Sequence, residues 1–215
     1  MLDLLLSAHD GGTSWRQLLE PGEARAGFEC VGPAGLARRM GRVLGVPARP
    51  AEAPLRLAAF ATKLDQHDDG NRSYSASRKH DPFGVSRFLL ALRDALRMAG
   101  WDGRGLTGSP RLGDLAELER LGTRLPAGLP DVLADLVAAL TGPLPFPVRV
   151  QMAAPRSAFA PMVLALVDAM AAAGAVERNR YKGVWCVGKG GMERGRRPTL
   201  DGKTIREGEP ATLDL

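Results

Sequence analysis

The chain has 215 residues, is rich in Ala, Leu, Gly and Arg, and carries a formal net charge of +5. This length is enough for a substantial buried core, arranged as one large domain or as one and a half smaller ones. No apolar run approaches the roughly 20 residues that a membrane-spanning helix needs. Composition therefore indicates a globular protein and excludes one that crosses a membrane by helices.

The positive charge is concentrated near the C-terminus. Between Arg178 and Arg206 the sequence has nine basic and two acidic residues, whereas the rest of the chain has 20 basic and 22 acidic residues. Such a segment is typical of nonspecific contact with nucleic acid, while the body of the protein is nearly neutral.

The opening residues "MLDLLLSAH" contain Asp3 and no basic leader, so we expect no secretory signal and a cytoplasmic location. Cys30 and Cys186 are far apart in sequence. In a reducing compartment, two such thiols are more often reduced and buried than bridged.

Strand and helix patterns alternate over the first fifty residues. "LDLLL" (2–6) and "GFECVG" (27–32) read as buried strands, a polar helix start follows the first of them at Thr13 or Ser14, and "AGLARRMGRVLG" (34–45) reads as an amphipathic helix. This alternation predicts a parallel sheet with helices on its faces, which is the α/β class.

The stretch "FGVSRFLLALRDALRMAGWDG" (83–103) reads as a helix with both ends marked. Asp81 is a good N-cap, Pro82 suits the first helical position, and Gly100 followed by Trp101 predicts a Schellman stop. Helical spacing predicts a buried face with Arg87, Asp94 and Arg97 on the opposite side, and we expect Arg87, Arg93 and Arg97 at the surface. The apolar residues of the predicted buried face are Phe88, Leu89, Leu92, Leu96 and Ala99.

Further helices are predicted at about 54–64, 111–125, 129–142 and 155–174, and a strand at 146–152. "AVE" (175–177) predicts the start of another strand. The polar stretch "DQHDDGNRSYSASRKHD" (65–81) predicts an exposed, mobile loop. From Arg178 onward only "GVWCVG" (183–188) is strand-like in a Gly-rich, charged tail.

No catalytic site, metal site or cofactor site is visible in the sequence. "VGPAG" (31–35) lacks the Lys and Ser/Thr of a phosphate-binding loop, and "GKT" (202–204) is preceded by Arg197 where such a loop needs Gly. His9, His67 and His80 are scattered and form no zinc or triad pattern. The triplet Asp201-Gly202-Lys203, with Glu193 as partner, leaves open a small magnesium-dependent nuclease.

Two groups of basic residues are candidates for contact with DNA. The first lies in "RSYSASRK" (72–79), which combines basic, aromatic and hydroxyl side chains as phosphate-contacting loops do. The second lies in the basic tail. The candidates are Arg72, Arg78, Lys79, Arg178, Arg180, Lys182, Lys189, Arg194, Arg196 and Arg197.

Four motifs in order resemble the N-terminal region of the PD-(D/E)XK nuclease family, similar to the second subunit of the bacterial ATP-dependent helicase/nuclease that processes DNA double-strand breaks. They are "CVGPAGLARRMGRVLGVP", "RLAAFATKL", "DPFGVSRFLLALRDALRMAGWDG" and "RLGDLAELERL". The resemblance covers about Leu2 to Val176, and "LRDALRMAGWDG" is its most specific part. The tail from Glu177 departs from the family pattern.

The resemblance implies a helicase-like, P-loop-type parallel sheet with flanking helices that has lost ATP hydrolysis, here incomplete. The implied domain is 1–176, with a helical insertion at about 54–142 and a basic tail at 177–215. The implied function is a non-catalytic scaffold in DNA repair and recombination that binds DNA or a protein. Its partners would be DNA, a helicase partner subunit or a missing C-terminal nuclease domain, with no membrane contact and no cofactor. A stand-alone interaction domain with a nucleic-acid-binding tail is a further alternative.

Overall fold

The computed structural model describes residues 2–8, 28–104, 108–121, 124–181, 184–187, 191–192, 197–198 and 204–205. These residues form an α/β protein, as the alternation of patterns predicts. The chain divides into two compact units. The sheet unit comprises Met1–Leu36, Thr141–Phe159 and Val167–Leu215, and the helical unit comprises Ala37–Leu140 and Ala160–Leu166.

The sheet unit contains a six-stranded mixed sheet in the order β2-β1-β3-β4-β5-β6. The first four strands in this order pair in parallel, and β5 and β6 are added antiparallel. The strands are β1 (Leu2–Leu6), β2 (Phe28–Val31), β3 (Val148–Met152), β4 (Val176–Tyr181), β5 (Val184–Val187) and β6 (Gly191–Met192). Two further short strands, β7 (Arg197–Pro198) and β8 (Thr204–Ile205), pair antiparallel in a separate sheet.

The register of β1 and β3 separates an apolar face from a face of mixed character. Leu4 lies beside Val150 and Leu6 beside Met152, and all four side chains are buried. Because side chains alternate along a strand, Asp3 and its neighbour Arg149 lie on the other face, where Arg149 Nη1 is 3.4 Å from Asp3 Oδ1. The apolar face supplies the core of this unit.

Seven helices and a short 3-10 turn at Arg156–Ala158 are present in the described residues. The sequence patterns predicted each of the helices except α3. The helices are α1 (Pro33–Leu44), α2 (Ala53–His67), α3 (Ser75–His80), α4 (Pro82–Met98), α5 (Pro110–Arg120), α6 (Leu129–Ala139) and α7 (Pro161–Ala172).

The core of the helical unit lies between α2, α4 and α5. Phe60 and Leu64 from α2, Leu89 from α4 and Leu115 and Leu118 from α5 are its fully buried centre. Helices α2 and α4 run antiparallel, since the first turn of α2 pairs with the second half of α4 through charged side chains. This pairing positions the surface described below.

The stretch 65–81 is exposed at most positions, as predicted, but it is not a loop throughout. Helix α2 continues to His67, and α3 follows with Tyr74 and Ser75 buried. Local hydrogen bonds make this possible, because the Asp68 carboxylate accepts from Gly70 N and from the Ser75 hydroxyl, while Ser75 Oγ accepts from Arg72 N. Polar side chains of the stretch thus form hydrogen bonds with its backbone.

Candidate functional site

Both ends of α4 are built as the sequence predicts. Asp81 Oδ1 accepts a hydrogen bond of 2.7 Å from Gly84 N, and Pro82 occupies the first helical position. At the other end Gly100 has φ +94°, and Trp101 N donates to Leu96 O at 3.0 Å. This Schellman pattern fixes the point at which the chain leaves the helix.

The buried face of α4 agrees with the prediction at Leu89, and Leu92 and Leu96 are partly buried against the core, but three other positions differ. Phe88, expected in the core, is 53% exposed, whereas Arg93, expected at the surface, is only 4% exposed. Ala99 is also exposed. The buried positions Ser86, Leu89, Leu90 and Arg93 follow helical spacing equally well, so the helix is rotated from the expected orientation. On this face Arg93 has its partners in α5 and α6, and Leu89 and Leu90 join the core.

An apolar groove of about 810 Å³ lies between α2 and α4, and we call it the α2–α4 groove. Its lining is mostly alanine, proline and leucine, and Phe83 on its α4 side is 62% exposed. Small side chains leave space between the two helices that larger ones would fill. The lining residues are Ala53, Pro54, Arg56, Leu57, Ala58, Ala61, Asp65, Arg78, Pro82, Phe83, Ser86, Arg87, Leu90, Ala91 and Asp94.

Charged pairs close the two ends of the α2–α4 groove. At one end Arg56 donates to both carboxylate oxygens of Asp94, at 2.6 and 2.8 Å. At the other end Arg78 pairs with Asp65. Between them Arg87 lies over the ring of Phe83, 6.0 Å from its centre, and it has no acidic partner among the residues that the structure describes. The groove is therefore apolar in the middle and has a free positive charge on its rim.

Arg93 is the centre of a buried charge network in the helical unit. It donates to both oxygens of Glu119, at 2.8 and 3.2 Å, and to both oxygens of Asp131, at 2.8 and 2.7 Å. It also donates to Asp94 Oδ1 at 3.0 Å. These bonds compensate the cost of burying the guanidinium and hold α4, α5 and α6 together.

Asp131 shows the electrostatic effect of this network. Burial alone would raise the pKa of its carboxyl group, but hydrogen bonds from Arg93 and from Gly128 N outweigh burial and lower the pKa below its ordinary value. The pKa of Arg93 is raised in return: burial opposes its charge, and the bonds to Asp131 and Glu119 more than offset that penalty. Both side chains therefore stay charged.

The basic residues predicted to contact DNA in the stretch 72–79 have mostly internal partners. Arg72 donates to Glu117 Oε2 at 2.5 Å and to Asp114 Oδ1 at 3.4 Å. Arg78 pairs with Asp65 and lies 3.6 Å from Asp68. Lys79 is exposed. Contact of these residues with DNA stays a prediction.

The tail candidates are only partly within the described residues. Arg178 and Arg180 lie in β4 and Arg197 lies in β7. The others lie outside the part of the chain that the structure describes, as does the Asp201-Gly202-Lys203 triplet. Those outside are Lys182, Lys189, Arg194 and Arg196.

The His, Cys, Asp and Glu side chains of the described residues are possible metal ligands. Within the described residues no group of three or more His, Cys, Asp or Glu side chains is placed to hold a metal ion. His67 Nε2 lies 3.4 Å from Glu117 Oε2, and His80 is exposed. Cys30 is a free thiol and is exposed, so the expectation that it is buried is wrong.

No helix in the described residues is long and apolar enough to cross a membrane. No family model matches the chain, and no curated protein matches its sequence.

Proposed function

We propose that this protein is a non-catalytic, helicase-like scaffold from a DNA double-strand-break repair nuclease, and that it binds a protein partner through the α2–α4 groove. Two things support the assignment to this class: the ordered motifs along the chain, and a parallel sheet interrupted by a long helical segment. The observation that carries the binding role is the apolar groove with the exposed ring of Phe83 beside it. A concave apolar surface with an exposed aromatic ring beside it is a candidate interaction site.

The shape of the groove favours a helix of the partner as its occupant. Between Arg56 and Asp65, whose pairs close the groove, α2 rises about 14 Å at 1.5 Å per residue, which is between two and three helical turns. A helix docked there would insert apolar side chains at positions i, i+3 or i+4, and i+7. The free guanidinium of Arg87 on the rim favours an acidic residue beside those anchors.

Within the helical unit, the groove is a better candidate for binding than the stretch 72–79. Arg72 and Arg78 already have carboxylate partners, so contact with phosphate would require these ion pairs to break. The groove requires no such exchange, because the middle of its lining is apolar. Contact with DNA is assigned in this proposal to the basic tail.

The test uses two aromatic residues of α4 as a matched pair. Phe83 lines the groove, whereas Phe88 is similarly exposed but lies beneath Arg111 of α5, 5.5 Å from its guanidinium. We expect Phe83→Ser to weaken binding of a nuclease-domain protein encoded beside this chain by at least about tenfold, since buried aromatic anchors dominate interfaces. Phe88→Ser should leave the affinity unchanged. Isothermal titration calorimetry with the purified pair measures both.

Two outcomes would contradict the proposal. Equal affinities for the Phe83→Ser and Phe88→Ser variants would exclude the groove as the binding surface. Magnesium-dependent DNA cleavage that disappears in Asp201→Ala and Lys203→Ala would instead support the alternative of a small nuclease.

A further inference from the structure

A second cavity lies on another side of the helical unit, between α2, α4, α5 and α6. It has a volume of about 260 Å³ and a mainly polar lining, unlike the α2–α4 groove. Its volume is just below the range of pockets for drug-sized ligands, so it suits a small polar group. The charged residues in its lining are Lys63, Arg93, Arg97, Arg120 and Arg124, with Glu119, Asp131 and Asp135.

The cavity has an excess of positive charge, with five basic and three acidic side chains in its lining. Arg93 uses its donors on Glu119 and Asp131, and Arg124 pairs with Asp135 at 2.8 Å. All three acidic side chains are thereby engaged. Arg97 and Arg120 have longer ion pairs, 3.6 Å to Asp131 and 3.8 Å to Glu117.

Arg97 has hydrogen-bond donors that the described residues use only in part. Its side chain is 21% exposed, and Nη2 lies 3.6 Å from Asp131 Oδ1, which is beyond hydrogen-bond distance. Nη1 makes a long bond of 3.4 Å to Trp101 O, and Nε is buried without a partner among the described residues. The Nη donors of Arg97, whose contacts are long, are therefore available to an acceptor inside the cavity.

Lys63 places a second, deeply buried cation on the same cavity. It is only 4% exposed. Its burial lowers the pKa of its ammonium group, Glu119 counteracts this effect, and Arg93 adds to it by repulsion. Lys63 adds a positive charge to the wall of the cavity, beside Arg93 and Arg97.

We propose that this cavity binds an anionic phosphate group. Arg97 donates hydrogen bonds to the phosphate oxygens, Lys63 supplies charge from the α2 wall, and Arg120 and Arg124 are exposed at the mouth. The planar, multidentate guanidinium suits phosphate, and a lysine adds a point charge. The site is separate from the α2–α4 groove and does not depend on the function proposed for it.

Two ligands could supply the phosphate group: inorganic phosphate in solution and the backbone of a nucleic acid. The first probe is inorganic phosphate added to the full chain, with binding followed by isothermal titration calorimetry. We expect binding in the wild-type protein and at least about tenfold weaker binding in Arg97→Gln and Lys63→Met, because charge-assisted hydrogen bonds contribute this much. Arg111→Gln is the matched control, since Arg111 is exposed on α5 and does not line the cavity.

A double variant at the mouth keeps the test independent of folding. Arg120 and Arg124 are 70% and 76% exposed as side chains, so Arg120→Gln/Arg124→Gln should fold normally and still bind phosphate several-fold more weakly. A thermal unfolding transition equal to that of the wild type verifies the fold. Phosphate affinity unchanged in the double variant and in Arg97→Gln would overturn the proposal, as would no phosphate binding by the wild type or acetate binding as tight as phosphate binding.

The second probe is a single-stranded oligonucleotide, measured by fluorescence anisotropy with the same variants. If Arg97→Gln and Lys63→Met weaken oligonucleotide binding as much as phosphate binding, and inorganic phosphate competes, the source is a nucleic-acid backbone. If the oligonucleotide affinity is unchanged while phosphate binding is abolished, the source is free phosphate. Both results support the phosphate site and differ only in its source.

Discussion

At the scale of the residue, Arg93 best illustrates how a charged side chain can determine packing. It occupies a position on α4 that faces the interior, and bidentate pairs with Glu119 and Asp131 compensate its burial. The two partners lie 26 and 38 residues further along the chain. Arg93 therefore links α4 to α5 and α6 through residues that are distant in sequence.

Removal of Arg93 should strongly destabilise the protein. Arg93→Met would leave Glu119 and Asp131 buried without their main partner, and breaking a buried ion pair in this way costs about 3–5 kcal/mol. Urea denaturation should show this decrease in the free energy of unfolding. Arg87→Met, which changes an exposed arginine on the same helix, should alter it by no more than about 0.5 kcal/mol. A decrease below about 1 kcal/mol for Arg93→Met would mean that the network is not formed.

The same network predicts how stability depends on pH. The pKa values of Asp131 and Asp114 are lowered in the folded protein: burial would raise both, but hydrogen bonds from Arg93 to Asp131 and from Ser73 to Asp114 outweigh it. A carboxyl group with a lowered folded pKa contributes stability above its unfolded pKa and loses it as the pH falls. Stability should therefore decrease below about pH 4, where such groups take up protons.

The contribution of Asp131 to this acid sensitivity can be isolated. In Asp131→Asn the free energy of unfolding should fall less steeply between about pH 5 and pH 2 than in the wild type, because one of the linked protonations is removed. Urea titrations at several pH values measure this slope. Arg87→Gln serves as control, since arginine does not titrate in this range, and an Asp131→Asn slope equal to that of the control would contradict the prediction.

At the scale of the element, the ends of α4 follow from sequence far better than its faces do. The cap uses Asp81 and Gly84, and the stop uses Gly100 and Trp101, so each depends on residues that are close in sequence. The buried face depends on which distant side chains pack against it. Phe88 and Arg93 both fit a helical stripe, and the carboxylates on α5 and α6 that pair with Arg93 are distant in sequence.

The α2–α4 groove could not be predicted from the sequence either, because its lining residues are distant in sequence. Its small residues read as ordinary good helix formers within α2 and α4. Only the antiparallel pairing of these helices brings Ala58, Ala61 and Ala91 into one lining. The cavity proposed to bind phosphate likewise combines Lys63 with arginines about 30 to 60 residues away in sequence.

Replacing two helical glycines with alanine should change the free energy of unfolding in opposite directions. A Cβ atom at Gly41 in α1 would collide with Ala48 Cβ and lie 2.8 Å from Val46 O, because the chain folds back closely after α1. Gly41→Ala should therefore cost about 1–3 kcal/mol. At Gly113 in α5 a Cβ atom meets nothing within 4 Å, so Gly113→Ala should stabilise the protein by about 0.5–1 kcal/mol. Urea denaturation of both variants gives the signs, and the same sign for both would contradict the structure.

At the scale of the whole molecule, the α/β class and the parallel β1, β2 and β3 follow from the alternation of apolar runs and amphipathic helices. The strand order does not. β1 takes a central position between β2 and β3, although more than 100 residues separate β2 from β3. The sequence marks local elements, whereas long-range pairing depends on how complete faces fit together.

The basic tail gives the prediction that belongs to the chain as a whole. If it contacts DNA, replacing four of its basic residues with Gln should lower both the affinity and its dependence on salt. For single-stranded DNA the slope of log K against log salt should decrease by roughly 0.7 for each phosphate that is no longer neutralised. The four residues are Lys182, Lys189, Arg194 and Arg196.

The control for this experiment removes an equal charge from the body of the protein. Its four replacements are at exposed arginines outside both cavities, so a general charge effect would appear equally in the two variants. The control residues are Arg38, Arg42, Arg104 and Arg111. Fluorescence anisotropy from about 50 to 200 mM salt, a range over which phosphate contacts strongly affect affinity, gives both slopes. The tail holds most of the excess positive charge, and the body of the protein is nearly neutral. We therefore expect the smaller slope of log K against log salt only in the tail variant. Equal slopes in the two variants would exclude the tail as the DNA-contacting segment.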